Sequence, residues 1–370
     1  MAAFGPLRED NPVAGNAVGL DIGTSGVRAA ELTVGKGSAT LHRFGQVALP
    51  VGAVRDGEVV DVAAVSEAIK HLWGTAKFSV KKVILGVANQ KVIVRQVDLP
   101  YLPEAELRKS LGLHAADFIP IPVEQAILDF HPLEIVTGDN GVRSMRVLLV
   151  AATRDMIMTA MEAVKGAGLQ PLHVDLTPFA VLRALAGVDH MGTQPAMHGG
   201  AEAIVDVGAT VTNIVIHQNG TPRFVRILLM GGDHVTDAVS ERLGVPFEQA
   251  VAVKQQLGMS PVRGEIVSEH PAARVIEASA TSFLEEIRGS LDYYLAQPAS
   301  VPLQRVVLSG GGARLGGLAQ RLAAASRLPV HPGAAMASLR IGKTGLTPEQ
   351  LSYVEPQIAV PVGLALGVAS

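Results

Sequence analysis

Between Val18 and Leu32 apolar and small residues run on, pause over Gly23 to Gly26, and resume through Val27, Ala29 and Leu32. That pattern predicts a strand, a tight glycine-bounded turn and a second strand. A helix is expected from Val62 to Phe78, and the short unbroken apolar run Val83 to Val87 reads as a buried strand. Together these form a βββαβ-like unit. From Asn89 to about Leu172 the texture changes. VIVRQVDLP reads as a strand and PEAELRKSLGLHAADF as a helix; a proline-rich IPIP, two strand-like runs and the helix MIMTAMEAVKGAG follow, which makes an inserted βαββα module.

HVDLTPFAVLRALAG then ends a strand and begins a helix. The Gly, Pro and His mixture GVDHMGTQPAMHGG, which contains His190 and His198, has no period and is read as an interdomain linker. A second start follows in AEAIVDVGATVTNIVIHQNGTPRFVRILLMGG, where Asn219-Gly220 between apolar runs signals a two-residue hairpin turn. Helices are expected over Asp233 to Leu243, Phe247 to Leu257 and Ala272 to Gln297, and a short buried strand over Arg305 to Ser309 ends in glycines.

At 370 residues the chain is too long for one core. The expected division is a loose tail over 1–16, a first lobe from 17–88 and 173–198 with 350–370 packing back onto it, the insertion 89–172, and a second lobe over 199–349 with a helical part at about 245–300. A net charge of −3 with dispersed basic residues gives no cationic field for a phosphate backbone, so nucleic acid is not an expected partner. The absence of cysteine removes disulfides, thiolate metal sites and a cysteine nucleophile, and fits the cytoplasm. No run approaches the roughly 20 apolar residues of a membrane span, and the nearest, IAVPVGLALGVAS, is expected to be broken at Pro361. Membrane association is therefore expected only through a partner.

One internal repeat carries chemistry. Asp21-x-Gly23-x-Ser25 recurs as Asp206-x-Gly208-x-Thr210, 185 residues on, half the chain length. In each copy an aspartate closes a hydrophobic strand and a glycine and hydroxyl residues follow, a turn whose amides make an anion-binding concavity. Thr24, Ser25, Thr210 and Thr212 can donate hydroxyls to phosphate oxygens, and Asp21 and Asp206 suit Mg²⁺ held through its retained waters. No Walker sequence is present, so phosphate binding must come from hairpins. A third element, VVLSGGGARLGGLAQRL, places Gly310, Gly311 and Gly312 after a strand, where they are expected to open a helix and let a ligand approach the backbone.

These three segments, in this order, resemble the phosphate 1, phosphate 2 and adenosine motifs of the actin, heat-shock chaperone and sugar kinase superfamily. The resemblance implies an α/β, actin-like (ribonuclease H-like) duplicated fold, two lobes around a nucleotide cleft, with ATP and Mg²⁺ as cofactors. LLMGGDHVTDAV and the inserted module look like the division protein FtsA and, more closely, the type IV pilus assembly family PilM; SLDYYLAQ and VPVGLALG also look like PilM. The basic amphipathic tail of FtsA-like proteins has no counterpart in GVAS, which favours PilM. The PilM resemblance implies a cytoplasmic pilus or secretion component. It would bind the N-terminal cytoplasmic tail of a PilN-like membrane protein, and through it PilO and other inner-membrane components. An FtsA-like division protein is the alternative, and a sugar kinase a more distant one.

Matched residue by residue, the resemblance implies that Gly23, Thr24, Ser25, Gly208, Ala209 and Thr210 contact phosphates and that Asp21 and Asp206 position the metal. It implies that Gly231, Gly232 and Gly310 to Gly312 border the α-phosphate and ribose, and that Lys254 and Arg314 flank the adenine. Two departures stand out. Val251 and Ala252 occupy places where relatives carry acidic residues for the ribose, and Thr177 stands before Pro178 where a glutamate would orient the attacking water. A hydroxyl is a poor general base, so hydrolysis is expected to be slow at most.

Overall fold

The computed structural model describes residues 15–35, 38–138, 141–186, 199–260, 262–265 and 268–367. Nearly all of the expected linker, with His190 and His198, and most of the expected tail lie outside them. The first lobe opens with strands β1 (Gly15–Ile22), β2 (Gly26–Gly35) and β3 (Ser38–Ala48), then a small hairpin, β4 (Val54–Arg55) and β5 (Glu58–Val59), helix α1 (Val62–Thr75) and strand β6 (Lys82–Val87). The inserted segment contributes β7 (Ile93–Pro100), α2 (Glu104–Ala115), β8 (Ala126–Thr137), β9 (Arg143–Thr153) and α3 (Arg154–Gly166). β10 (Gln170–Leu176) and α4 (Thr177–Leu185) return to the first lobe.

The second lobe repeats the opening with β11 (Ala201–Val207), β12 (Thr212–Gln218) and β13 (Thr221–Leu228). Between β12 and β13, Asn219 and Gly220 both adopt positive φ (52° and 81°), the type I′ geometry that Asn-Gly predicts. Helices α5 (Gly232–Leu243), α6 (Phe247–Leu257) and α7 (Pro271–Leu295) follow, then β14 (Leu303–Ser309), α8 (Leu318–Ser326) and β15 (Val330–Pro332). The chain re-enters the first lobe at β16 (Leu339–Ile341), which pairs with β3, and ends in α9 (Pro348–Leu366).

The two large sheets share one topology. Their orders are β3-β2-β1-β6-β10, extended by β16 beyond β3, and β13-β12-β11-β14-β15. In each, the first three strands are antiparallel and the last two add in parallel to the first strand. This is the duplicated actin-like α/β fold, and the duplication reaches the register: Asp21 faces Arg28 across β1 and β2 as Asp206 faces Asn213 across β11 and β12.

Both faces of the first sheet are covered. α1 and α3 pack together on one side, where the buried Ser66 hydroxyl lies 2.7 Å from the Val62 carbonyl of its own helix and 2.9 Å from that of Ala163 in α3. α3 thus belongs to the large core although it closes the inserted segment; the insertion's own core is Leu107 and Leu111 of α2 against Val97, Phe130 and Leu149 of its sheet. Ser66→Ala is expected to cost roughly 1 kcal/mol, read as a fall in urea midpoint at unchanged slope.

On the other side α9 lies on β1, so close that a Cβ at Gly19 would fall 2.7 Å from Leu364 Cβ. The apolar C-terminal run was expected to break at Pro361, but it is helical through both Pro356 and Pro361. Burial of Ile358, Val362 and Leu364 outweighs the lost backbone bond, about 3 kcal/mol for an interior proline. Gly310 to Gly312 also differ from expectation. Gly310 (φ 87°) and Gly317 (φ 81°) are left-handed, so only a single 3-10 turn, Gly311–Arg314, forms before α8 begins at Leu318. Among the described residues no helix is long and apolar enough to cross a membrane.

Candidate functional site

Each lobe presents one turn to a cleft of about 900 Å³ between them. The Gly23 N–H donates to the Gly26 carbonyl at 3.0 Å, and the Gly208 N–H to that of Val211 at 2.9 Å, so the two turns close alike at equivalent positions. Those two amides are thereby used, and any contact Gly23 or Gly208 makes with a ligand is through Cα. The amides of Thr24, Ser25, Ala209 and Thr210 have no acceptor among the described residues and are the ones left for an anion. The turns meet: Thr24 Oγ1 and Thr210 Oγ1 are 2.7 Å apart.

Behind the turns stand the two aspartates. Each leans on its cross-strand neighbour: Arg28 Nη1 lies 3.5 Å from Asp21 Oδ2, and Asn213 Nδ2 donates to Asp206 Oδ2 at 3.4 Å. Burial, and then the charge of Asp21, push the Asp206 carboxyl up to about 6, against smaller effects of Asn213, Arg28 and Ser309. Burial also raises Asp21, with Arg28 opposing. A buried carboxylate repelled by a half-buried neighbour is relieved by a cation, and oxygen donors of this kind suit Mg²⁺. Among the described residues no three His, Cys, Asp or Glu side chains are grouped so that they could hold a metal ion.

Gly232, Lys254, Gly310, Gly311, Gly312, Arg314 and Thr177 all line the cleft. Two expected contacts do not. The Thr212 hydroxyl is fully buried and donates to the Met230 carbonyl at 2.7 Å, because Thr212 already belongs to β12 and points away from the turn. Gly231 sits behind the second turn, where a Cβ would come within 2.5 Å of the Gly208 and Ala209 carbonyls. Its role is to let α5 dock on that turn, with Gly232 N–H to Gly208 O at 3.0 Å and Asp233 N–H to Ala209 O at 2.8 Å.

Lys254 is committed within the fold, donating to the Gly232 carbonyl at 2.8 Å and to Thr236 Oγ1 at 2.6 Å. Burial lowers its pKa, against the charges of Asp233 and Asp237. The Arg314 guanidinium stacks 4.1 Å above the ring of Tyr353 in α9, tying the second lobe to the first. Val251 lines the wall as expected, yet carboxylates are present: Asp233, Asp237 and Glu248 reach the cleft from α5 and α6. Sequence reading passed over them because their convergence depends on how those two helices pack. Arg28, Gln357 and the β4–β5 hairpin were missed as well.

The family model described as type IV pilus assembly protein PilM matches residues 19–368. The chain belongs to the PilM family. A solved structure, "PilM-PilN type IV pilus biogenesis complex", is 26% identical with a TM-score of 0.83, covering 96% of this chain and 99% of that one. The ethanolamine utilization protein EutJ from Carboxydothermus hydrogenoformans shares the fold at 16% identity and TM-score 0.51, over 98% of this chain and 92% of its own. Cell division protein FtsA of Streptococcus pneumoniae is 27% identical over 82% of this chain and 72% of its own length. That of Bacillus subtilis is 24% identical over 74% and 69%. The family match therefore favours PilM over the FtsA alternative.

Proposed function

We propose that this chain is a nucleotide-responsive adaptor of type IV pilus or related secretion assembly, binding ATP with Mg²⁺ in the cleft and the N-terminal cytoplasmic tail of a PilN-like membrane protein elsewhere. On this reading it is cytoplasmic and reaches the inner membrane, and indirectly PilO-like components, only through that partner. The observation that carries the nucleotide half is the meeting of two equivalent turns, each backed by an aspartate at the same strand position. Family membership and the PilM–PilN complex support the partner half.

In this reading the free amides of Thr24, Ser25, Ala209 and Thr210, with the hydroxyls of the two threonines, grip phosphate oxygens from both lobes. Asp21 and Asp206 hold the metal's waters, and Mg²⁺ supplies positive charge that screens the phosphates from those carboxylates. Gly232 and the Gly310 to Gly312 turn let ribose and α-phosphate approach, Asp233, Asp237 and Glu248 are the candidate ribose acceptors, and Lys254 and Arg314 border the base. A ligand gripped by both lobes stabilises the closed arrangement by its differential affinity for it. Thr177, at the start of α4, is too weak a base to drive rapid turnover, so binding rather than hydrolysis is the signal.

The test is affinity for a synthetic PilN-like N-terminal peptide with and without Mg-ATP. Specific binding that shifts at least about fivefold with nucleotide is expected, a coupling of roughly 1 kcal/mol. ATP-dependent sedimenting filaments without any peptide affinity would instead favour the FtsA-like reading.

A further inference from the structure

Four cationic side chains line the cleft, and three are occupied. Arg28 leans on Asp21, Lys254 is held by the Gly232 carbonyl and Thr236, and Arg314 lies on Tyr353. Arg55 differs, since its side chain makes no ion pair or hydrogen bond among the described residues. Its cross-strand neighbour in the β4–β5 hairpin, Glu58, is taken by Lys91 at 2.7 Å.

The hairpin that carries Arg55 is firmly built. Asp56 and Gly57 both have positive φ (53° and 80°), the type I′ geometry that Asp-Gly favours. The buried Asn89 anchors it, donating to the Asp56 carbonyl and accepting from the Lys91 N–H at 2.7 Å. Gly57 packs so tightly on Ala88 that any Cβ there would overlap its carbonyl. The hairpin is thus held by a buried polar anchor at the cleft wall.

The wall segment starts at Leu49, whose N–H donates to the Ser25 carbonyl of the first turn at 3.2 Å. The groups assigned to the nucleoside end, Gly232, Lys254 and Arg314, all come from the second lobe. On the nucleotide reading above, the first lobe's wall beyond its turn is left for the terminal phosphate.

We propose that Arg55 is a specificity-determining residue: its guanidinium binds the terminal phosphate of a nucleoside triphosphate and makes the cleft prefer triphosphate to diphosphate. This rests on the nucleotide reading above. The cleft carboxylates Asp21 and Asp206 oppose added negative charge, so the extra phosphate needs a cation beyond the metal, and an arginine fork matches phosphate oxygens in geometry as well as charge.

The experiment is calorimetric titration of Mg-ATP and Mg-ADP, separately, into the full chain and into R55A and R55K. The wild type should bind ATP more tightly than ADP; R55A should lose at least about tenfold in ATP affinity with ADP affinity unchanged, and R55K should recover part of the ATP affinity through its charge. Unfolding temperatures without ligand should match the wild type, because Arg55 is exposed. Equal loss for ATP and ADP in R55A, or loss for neither, overturns the assignment while leaving nucleotide binding standing. A wild type that binds neither nucleotide removes both.

Discussion

Asp206→Asn is expected to make the ligand-free protein more stable at pH 7.5 while removing most of its affinity for Mg-ATP. Asp206 is buried beside Asp21 and its carboxyl sits at about 6 in the folded chain against 3.8 ordinarily. Between those values the folded state holds a proton that the unfolded state has released, so stability falls as pH rises through that window and stays lower above it. A displacement of that size is worth on the order of 3 kcal/mol at neutral pH. Asparagine removes the penalty and keeps an oxygen for Asn213. Denaturation at pH 7.5 and again near pH 4 checks this: the variant should gain at the higher pH, with the gain shrinking at the lower, where the wild-type carboxyl is already neutral. Mg-ATP affinity at pH 7.5 should fall about 100-fold, roughly 2.7 kcal/mol. The same titration predicts that wild-type affinity weakens as pH drops below about 6, because protonated Asp206 cannot hold the metal's waters.

Gly310→Ala is the second large effect, and it acts on the fold first. Gly310 has φ 87°, a Cβ there would overlap the Val207 carbonyl, and its N–H donates to the Pro356 carbonyl of α9 at 2.6 Å. Conformational strain and overlap together should cost about 3 kcal/mol or more. Gly220→Ala is the control, because Gly220 has a similar φ of 81° but open space around its Cβ. It should lose only about 1 kcal/mol. Urea midpoints separate the two, and comparable losses would show that the packing of the glycine turn against β11 and α9 contributes little.

Much of this arrangement is legible in the sequence. The two D-x-G turns could be found because duplication preserved residue type at a fixed offset, and the shared strand order of the two sheets follows from that duplication. Arg28 and Asn213 occupy equivalent places too, yet their types differ, so only the register shows that both do the same work for their aspartates. Thr212 reads as a turn hydroxyl, but it is the first residue of β12, and the Met230 carbonyl takes its hydroxyl. The Asp56-Gly57 dipeptide was a local hairpin signal that was passed over, and its importance comes from Asn89, 33 residues away. Asp237 and Glu248 were hidden for a similar reason: each is an ordinary helix-surface acid until α5 packs beside α6.

The persistence of α9 through Pro361 illustrates the reverse. Local propensity argued for a break, and long-range burial against β1 and α4 overrode it. Arg183 of α4 reinforces this, donating to the Gly363 carbonyl at 3.0 Å while pairing with Asp175.

The most direct test of the two-lobed nucleotide grip is equilibrium titration of Mg-ATP into the wild-type chain and into Asp21→Ala and Asp206→Ala. Saturable binding of one nucleotide per chain, lost in both variants and on chelation of Mg²⁺, is the expected result. A wild type that does not bind, or variants that bind Mg-ATP as tightly as the wild type, would contradict it.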